Sequence, residues 1–217
     1  MKKGKCVYCG EVKQITDEHV VPQGLYMHSH NAVIPCCKAC NNEKSDDDEY
    51  FRLVFAVLKA SKDHQVAQKM KEKVVRSLGK PEKAGFASMI QGSANNTETQ
   101  NAEGETILQT GLDVAVNRIN CTFRYITRGL VYLEEEMYVG ADFSVISTFG
   151  HEEDTESGSK LISSIKSDLS NLPWSEIGES GVFRYRYKVI EEPPRSIWEM
   201  EMYEGRRVVT MISKKSN

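Results

Sequence analysis

The sequence predicts an α+β protein in which a small cysteine-rich N-terminal module precedes helices and a small antiparallel sheet. Three observations support this fold class. Five of the six cysteines lie between Cys6 and Cys40. Farther along the chain, apolar residues recur at helical spacing, and near the C-terminus they alternate with charged residues as in strands. With 217 residues, 40% hydrophobic content and a net charge of −3, the composition is that of an ordinary globular protein.

Two segments have the spacing of amphipathic helices. The first covers residues 65–78, where apolar residues recur every four positions and Gly79 and Pro81 follow as stop signals. Its apolar residues are Val66, Met70, Val74 and Leu78. The second helix is expected after Asp113, which we interpret as its N-cap. Its apolar residues are Ile119, Phe123, Ile126 and Leu130.

The C-terminal region has the alternation of strands. Residues 183–189 alternate aromatic or apolar side chains with basic ones, and residues 198–202 alternate Trp or Met with Glu. The pair Glu204-Gly205 before residues 207–212 predicts a hairpin. We interpret the aromatic row as a core face rather than a platform for stacking nucleic-acid bases.

Charge divides the chain into regions. Residues 1–50 carry a net charge of −2, residues 51–83 carry +6, and the remainder carries −7. We therefore expect a first module over 1–50, a basic helical segment over 51–91 and an α+β domain over 105–217. The polar stretch 92–104 between them is interpreted as a linker or exposed loop. The acidic balance of the last domain argues against a second large phosphate-binding surface. Its alternating strands favour a role in specificity, dimerisation or binding of a protein partner.

The sequence also predicts a compartment. No apolar stretch approaches the roughly 18 residues that a membrane span needs, and no apolar run follows the charged start of the chain. We therefore expect a cytoplasmic protein without a membrane partner. In a reducing compartment, clustered cysteines indicate a metal site rather than disulfides.

The cysteines form two C-x-x-C pairs separated by 27 residues, which is typical of a tetrahedral structural zinc site. The four expected ligands are Cys6, Cys9, Cys37 and Cys40. Cys36 could replace Cys37, but the second pair would then be the looser C-x-x-x-C. We interpret Cys36 and Cys121 as small buried hydrophobic residues.

Residues suited to phosphodiester hydrolysis stand between and after the cysteine pairs. Glu18 and His19 place a carboxylate beside an imidazole, so the acid can hold a divalent cation while the neutral imidazole takes a proton from water. Directly after the last cysteine, Asn41 offers an amide oxygen to the same cation and Lys44 offers a positive charge to a phosphate.

Four ordered blocks in residues 3–50 resemble the zinc-containing HNH endonucleases, most closely the branch written EHxxP…CxxCN. The blocks are Cys6-x-x-Cys9, Glu18-His19-Val20-Val21-Pro22, Val33-Ile34-Pro35 and Cys37-x-x-Cys40-Asn41-x-x-Lys44. The resemblance implies a ββα-metal (treble-clef) fold with two short strands, the second carrying His19, and a helix starting near Cys37.

The resemblance also implies roles. His19 would be the general base, Glu18 and Asn41 would bind a catalytic Mg²⁺ or Mn²⁺, and the four cysteines would hold structural Zn²⁺ outside the active site. The family's central Asn normally precedes the apolar triplet and fixes the loop that orients the base. Here Ala32 stands there, so either Asn31 takes the role from a shifted loop or the role is lost. Asp17 could replace Glu18 as ligand, although it should leave the opposite face of the strand.

Other polar residues receive simpler interpretations. His28 and His30 lie in the connector before Asn31 and are expected to face solvent. The acidic run 46–49 is expected to form a solvated turn away from nucleic acid, since it would repel phosphate. On the helix over 65–78, the basic side chains flank the apolar stripe and can contact backbone phosphates or simply face solvent. These side chains are Lys69, Lys73 and Arg76.

The sequence therefore favours a metal-dependent HNH endonuclease that nicks or cuts DNA. One alternative is a zinc-stabilised module that binds nucleic acid or protein and has lost catalysis. Another is a nuclease that acts on RNA, because the same chemistry serves both sugars. The intact Glu18-His19 pair favours an enzyme, since a binding module has no need of a general base.

Overall fold

A computed structural model of the chain describes residues 2–58, 61, 63–100, 104–150 and 156–215. Within these ranges, the α-helices are α1 (Lys38–Val57), α2 (Gln65–Leu78), α3 (Ala84–Gly92), α4 (Val116–Glu135) and α5 (Glu156–Leu169). The strands are β1 (Lys2–Lys5), β2 (Val12–His19), β3 (Val33–Cys37), β4 (Ala94–Gln100), β5 (Thr106–Leu112), β6 (Phe143–Ser147), β7 (Ser175–Glu176), β8 (Phe183–Val189), β9 (Ser196–Met202) and β10 (Arg206–Lys214). The fold is α+β, as expected.

The N-terminal module is an antiparallel sheet of β1, β2 and β3 with β2 in the centre. His19, the last residue of β2, pairs with Val33 at the start of β3. Cys37 ends β3 and is also the N-cap residue of α1, so the chain passes directly from the sheet into this helix. The strand carrying His19 and the helix near Cys37 are therefore present, and α1 continues across residue 50 to Val57.

The helix expected over 65–78 is confirmed as α2. Met70 is buried, and the other three residues of the expected apolar stripe pack against the core while partly exposed. Ala67 is fully buried on the same side. The basic side chains of α2 therefore flank a face that packs against α1 and α3.

The stretch 92–104 is not simply a linker. Residues 94–100 form β4, which pairs antiparallel with β5 to make a separate two-stranded hairpin. Described side chains on β4, such as Asn95 and Glu98, are exposed, and Leu108 on β5 is 68% exposed. Because these described residues of β4 face solvent, the sequence of β4 lacks the apolar alternation that identifies a strand.

The C-terminal region forms a five-stranded antiparallel sheet in the order β6-β10-β9-β8-β7. The expected strands and the final hairpin are confirmed, with Tyr203–Gly205 as the turn. The second expected helix is confirmed as α4, but its N-cap residue is Ala115. Asp113 instead accepts a hydrogen bond from Asn95 at 2.7 Å, so its side chain serves the β4–β5 hairpin.

Both faces of this sheet are covered. α4 packs against β6 and β10, while α5 contacts β8 and β9. The charged residues that alternate along β8 and β9 therefore include buried ones, and they form an arginine cluster with β10. Its members are Arg184, Arg186, Glu199, Glu201 and Arg207, with the Trp174 ring 4.4–5.6 Å from the three guanidinium groups.

One hydrophobic core joins the N-terminal module to the C-terminal sheet. Phe51 and Phe55 of α1 contact Phe123 of α4 at ring-centroid distances of 5.0 and 5.8 Å, and Phe149 lies beside both α1 and α4. The helices α1 and α4 therefore pack together, and both contact the three-stranded sheet. None of the described helices combines the length and apolar character needed to cross a bilayer.

Candidate functional site

The four cysteines of the two C-x-x-C pairs come together in space. Their sulfur atoms all lie within 4.8 Å of one another, and the Sγ atoms of Cys9 and Cys37 are 4.0 Å apart. Tetrahedral ligands at about 2.3 Å from Zn²⁺ lie about 3.8 Å apart, so this spacing suits a metal such as zinc. Among the described residues, no other group of three or more Cys, His, Asp or Glu ligands is so closely gathered.

Backbone hydrogen bonds shape the first cysteine pair and favour its ionised form. The Gly10 N–H donates to the Cys6 carbonyl at 2.8 Å, and the Cys37 N–H donates to Cys6 Sγ at 3.4 Å. Burial opposes ionisation, but hydrogen bonds from the backbone at Cys37, Cys9 and Tyr8 outweigh it and lower the pKa of Cys6 to about 6. A thiolate is the form that binds metal.

The structure also decides between Cys36 and Cys37. Cys37 belongs to the four-sulfur group, whereas the Cys36 thiol donates to the Cys37 carbonyl at 3.3 Å. Burial raises the pKa of Cys36, so this residue stays a neutral, fully buried thiol. Cys37, and not Cys36, is therefore the cysteine that lies together with Cys6, Cys9 and Cys40.

Glu18, His19 and Asn41 line one pocket of about 290 Å³, which we call the His19 pocket. Its wall also includes Ser45, Asp48 and Arg52 of α1 and the turn Pro22–Gly24 that follows β2. Asn41, Ser45 and Asp48 share a helix face because they are spaced by four and three residues. The end of β2 and this face of α1 therefore bring the sequence-predicted residues together.

Asp48 is a member of the pocket that the sequence did not indicate. The acidic run 46–49 is not a solvated turn but part of α1. Asp47 pairs with Arg118 and Glu49 pairs with Lys83, each at 2.7 Å, whereas Asp48 lies in the pocket. Burial raises the pKa of Asp48, although nearby Lys44 opposes the shift. The available signal was its position seven residues after Asn41, on the same face of a helix.

Lys44 is not free to contact a phosphate, contrary to expectation. Its side chain is 3% exposed, and its Nζ pairs with Glu18 Oε1 at 2.8 Å and with Asp48 Oδ2. Burial disfavours the charged ammonium, but the two carboxylates outweigh it and raise the pKa of Lys44. Lys44 is therefore a buried cation held between two acids that line the pocket.

The donors around Lys44 suit a hard divalent cation. Glu18, Asp48 and Asn41 offer carboxylate and amide oxygens, which Mg²⁺ and Mn²⁺ prefer. Oδ1 of Asp48 is buried without a hydrogen-bond partner among the described residues. Asp17 is exposed and does not line the pocket. The oxygen set therefore fits such an ion, provided that the Lys44 ammonium moves from between the carboxylates.

His30 packs against His19, although the sequence suggested that it faces solvent. His30 is 5% exposed, and its ring centroid lies 4.5 Å from that of His19 and 4.6 Å from that of Tyr26. Its Nε2 is 3.1 Å from the Val21 carbonyl. Burial, with a smaller contribution from His19, lowers the pKa of His30 despite that hydrogen bond. A neutral aromatic ring thus supports the His19 imidazole, whereas His28 is exposed as expected.

Gln23, not Asn31, fixes the loop beside His19. The Gln23 side-chain amide donates to the His28 carbonyl at 2.8 Å, and its oxygen accepts from the Ser29 hydroxyl and the His30 N–H at 3.4 Å. Asn31 is exposed and does not line the pocket. The loop-fixing role expected of Asn31 is therefore served by a residue that directly follows the Glu18–Pro22 block.

The C-terminal region holds the same loop from outside. Gly178 has φ of +76°, and a Cβ there would lie 2.6 Å from the Tyr26 ring and 3.2 Å from His30. A side chain would therefore be strained and would displace this pair. Glu179 accepts a hydrogen bond from the His28 N–H at 2.7 Å, and the Tyr203 hydroxyl donates to the Leu25 carbonyl at 2.8 Å.

The basic residues of α2 differ in their surroundings. Lys73 lines a cleft of about 260 Å³ that shares Gly24 and Arg52 with the His19 pocket. Lys69 and Arg76 are exposed, and the Arg76 Nε donates to the Glu72 carbonyl at 3.3 Å. Lys73 therefore lies in a cleft that adjoins the His19 pocket, whereas Lys69 and Arg76 do not line that cleft.

Comparison of the chain with protein-family models, with curated proteins and with solved structures found no match. The resemblance to HNH endonucleases therefore rests on the four motif blocks of the sequence.

Proposed function

We propose that the chain is a metal-dependent nuclease of the HNH type that hydrolyses DNA phosphodiester bonds. The observation that carries this proposal is the meeting of His19, Glu18 and Asn41 in one pocket, with Asp48 as a further acid. An imidazole beside hard oxygen donors is the minimal equipment for activating water next to a phosphate. The four-cysteine group lies outside this pocket, where a structural metal is expected.

His19 acts as the general base in this proposal. Its Nδ1 is buried without a hydrogen-bond partner among the described residues. The His30 ring packs against the His19 ring, and the Tyr26 ring packs against that of His30. Glu18, Asn41 and Asp48 hold Mg²⁺ or Mn²⁺, which when bound supplies positive charge to the scissile phosphate. Arg52, at the edge of the pocket, contacts the same phosphate or the next one.

The four cysteines hold structural Zn²⁺ in a treble-clef arrangement. They join the loop before β2 to the junction of β3 and α1, and this junction fixes Asn41 relative to His19. Zinc therefore stabilises the pocket without taking part in the reaction.

The test is cleavage of supercoiled plasmid by purified protein, with and without added Mg²⁺ or Mn²⁺. Cleavage should require the added ion, and His19→Ala should lower the rate by roughly 10² to 10⁴, the usual contribution of a general base. His28→Ala is the matched control, because its side chain is 83% exposed. Zinc content and far-UV circular dichroism should be unchanged in both variants. Equal rates for His19→Ala and wild type would refute the proposed mechanism.

A second candidate is a zinc-stabilised binding module that has lost catalysis. The position of Lys44 favours it, since an ammonium between Glu18 and Asp48 already neutralises part of the acid pair. This candidate predicts nucleic-acid binding without cleavage at any Mg²⁺ or Mn²⁺ concentration. Running the cleavage assay with RNA in parallel tests the RNA-directed alternative, because the pocket chemistry serves either sugar.

A further inference from the structure

The cleft beside the His19 pocket combines an apolar floor with a basic rim. Met70 and Val74 of α2 and Phe86 of α3 form the floor. Arg52, Lys73 and Lys83 stand around it. We call this cleft of about 260 Å³ the α1–α3 cleft, since its walls come from the first three helices.

The α1–α3 cleft is connected to the His19 pocket at Gly24 and Arg52, which line both. A Cβ on Gly24 would lie 2.2 Å from the Cδ and Nη1 atoms of Arg52. The absence of a side chain at Gly24 therefore lets the Arg52 side chain lie across the boundary between the two concave surfaces. A phosphate bound at Arg52 is thus within reach of both.

The rim keeps an excess of positive charge. Lys83 pairs with Glu49 at 2.7 Å, so these two residues largely neutralise each other. Arg52 and Lys73 form no ion pair with any described residue, and Arg52 makes a hydrogen bond to the Asp48 carbonyl at 3.3 Å. Two cations therefore remain available to anionic groups of a ligand.

We propose that the α1–α3 cleft binds one unpaired nucleotide of the substrate, adjacent to the phosphate attacked at His19. This inference rests on the proposed nuclease function. The base lies against Phe86 and the apolar floor, while Arg52 and Lys73 contact its flanking phosphates. Base stacking on an aromatic side chain combined with a basic rim is how proteins bind unpaired strands. A base inside a duplex cannot reach the floor without leaving its stack.

The geometry therefore assigns a substrate class. Single strands, flaps, loops and mismatched sites present an unpaired nucleotide at no unstacking cost, whereas intact duplex must first extrude a base. The His19 pocket is polar and acidic, whereas the α1–α3 cleft is apolar and basic. Hydrolysis of the phosphate and binding of the base are therefore spatially separated.

The experiment measures binding by full-length His19→Ala protein in buffer without added Mg²⁺ or Mn²⁺, which removes cleavage. The probes are a perfect duplex, the same duplex with one unpaired 2-aminopurine, and the corresponding single strands of DNA and RNA. We expect tighter binding to every probe with an unpaired nucleotide. A change in 2-aminopurine fluorescence on binding should report its transfer to the cleft.

Phe86→Ala, introduced into the same protein, identifies the cleft. It should weaken binding of unpaired probes by about 5- to 150-fold, the range for loss of one stacking contact, and leave duplex binding unchanged. Val75→Ala is the control, because this apolar residue of α2 is 56% exposed and lies outside the cleft. Lys73→Gln should weaken binding to all probes and reduce the salt slope by about 0.9 for duplex.

Two results would overturn the inference. One is equal affinity for the duplex with and without the unpaired base. The other is wild-type affinity of Phe86→Ala for single strands. Either result leaves the proposed function standing if metal-dependent cleavage still disappears in His19→Ala. The absence of both binding and cleavage would instead refute the nuclease proposal and the inference together. The DNA and RNA strands decide which sugar the cleft accepts.

Discussion

Two charge clusters, one between β2 and α1 and the other on the five-stranded sheet, are built in opposite ways. In the N-terminal module, the carboxylates of Glu18 and Asp48 share one ammonium, that of Lys44. In the C-terminal sheet, two carboxylates share three guanidinium groups, and the Trp174 ring lies over them. The first cluster thus has an excess of acid beside an open pocket, and the second has an excess of base beneath a helix and an aromatic ring.

This difference suits the first cluster to binding a ligand and the second to stabilising the sheet. Carboxylates that outnumber their cations and adjoin a pocket can bind a further cation, whereas arginines that outnumber the acids and give each acid at least one close hydrogen bond specify packing between strands. The C-terminal sheet therefore carries much charge without forming a candidate site. The two regions should therefore respond differently to loss of a metal, loss of a cationic partner and a change of pH.

Removal of the metal should have the largest effect, and only in the N-terminal module. Structural zinc supplies about 10–16 kcal/mol of apparent binding free energy in small zinc domains. We expect a strong chelator to increase hydrogen exchange in β1–β3 while β8–β10 stay protected. Cys37→Ser should do the same and lose zinc on elemental analysis. Full zinc content in Cys37→Ser, together with loss in Cys36→Ser, would contradict the ligand assignment.

Loss of one cation from each charge cluster should give two variants whose stabilities respond differently to Mg²⁺. Arg186→Met leaves Glu199, which is 0% exposed, without its main partner. Such a loss costs roughly 3–5 kcal/mol. Lys44→Met leaves Glu18 and Asp48, whose side chains are 16% and 15% exposed, beside the pocket. Its cost should be smaller, and Mg²⁺ at a hundred times its Kd should restore about 2.7 kcal/mol.

The measurement is thermal unfolding of both variants across a Mg²⁺ series, with wild type as control. Lys44→Met should gain stability with added Mg²⁺ and Arg186→Met should not. An identical Mg²⁺ response in the two variants would show that the N-terminal cluster is structural, like the arginine cluster.

The loop that supports His19 should respond to Gln23 rather than to Asn31. Gln23→Ala removes three hydrogen bonds to residues 28–30 and should lower the cleavage rate roughly 10-fold through misplacement of His30 and His19. Asn31→Ala is the matched control and should retain wild-type activity. Plasmid cleavage at saturating Mg²⁺ measures both. A greater loss in Asn31→Ala would return the loop-fixing role to that residue.

The smallest expected effect is a pH dependence in the C-terminal sheet. Burial opposes ionisation of Glu201, but hydrogen bonds from Arg207 and Arg184 outweigh it and lower its pKa below the ordinary value of 4.5. A lowered carboxyl pKa adds stability above the ordinary value, and this stability is lost as pH falls through the lowered pKa. Glu201→Gln should therefore be less stable near neutral pH, with the gap closing in acid. Urea unfolding at several pH values tests this, and a gap independent of pH would contradict it.

Features with a local period or spacing could be predicted from the sequence. The C-x-x-C spacing identified the four gathered cysteines, and the periods of α2, α4, β8 and β9 were visible because apolar side chains recur on one face of each element. Glu18 and His19 end β2 and Asn41 lies near the start of α1, and the packing of these two elements brings the three residues into one pocket.

Features that depend on tertiary contacts could not be predicted. His30 is buried because Gly178 and Tyr26 enclose it, and nothing in the sequence around it indicates those partners. Asp48 looked like part of a solvated acidic run because its neighbours pair with residues 34 and 71 positions away. The β4–β5 hairpin could not be predicted because the described side chains of β4, such as Asn95 and Glu98, are polar and exposed, so no apolar alternation marks this strand.

The hydrogen bond from Tyr203 to the Leu25 carbonyl has a consequence for the order of events during translation. Tyr203 lies in the turn between β9 and β10, so the ribosome releases it long after the cysteines and His19. A nascent chain can gather its cysteines early, yet the loop beside His19 gains its last support only when β9 and β10 have formed. We therefore expect a growing chain to complete the His19 pocket late, so that the proposed nuclease activity would appear only near the end of synthesis.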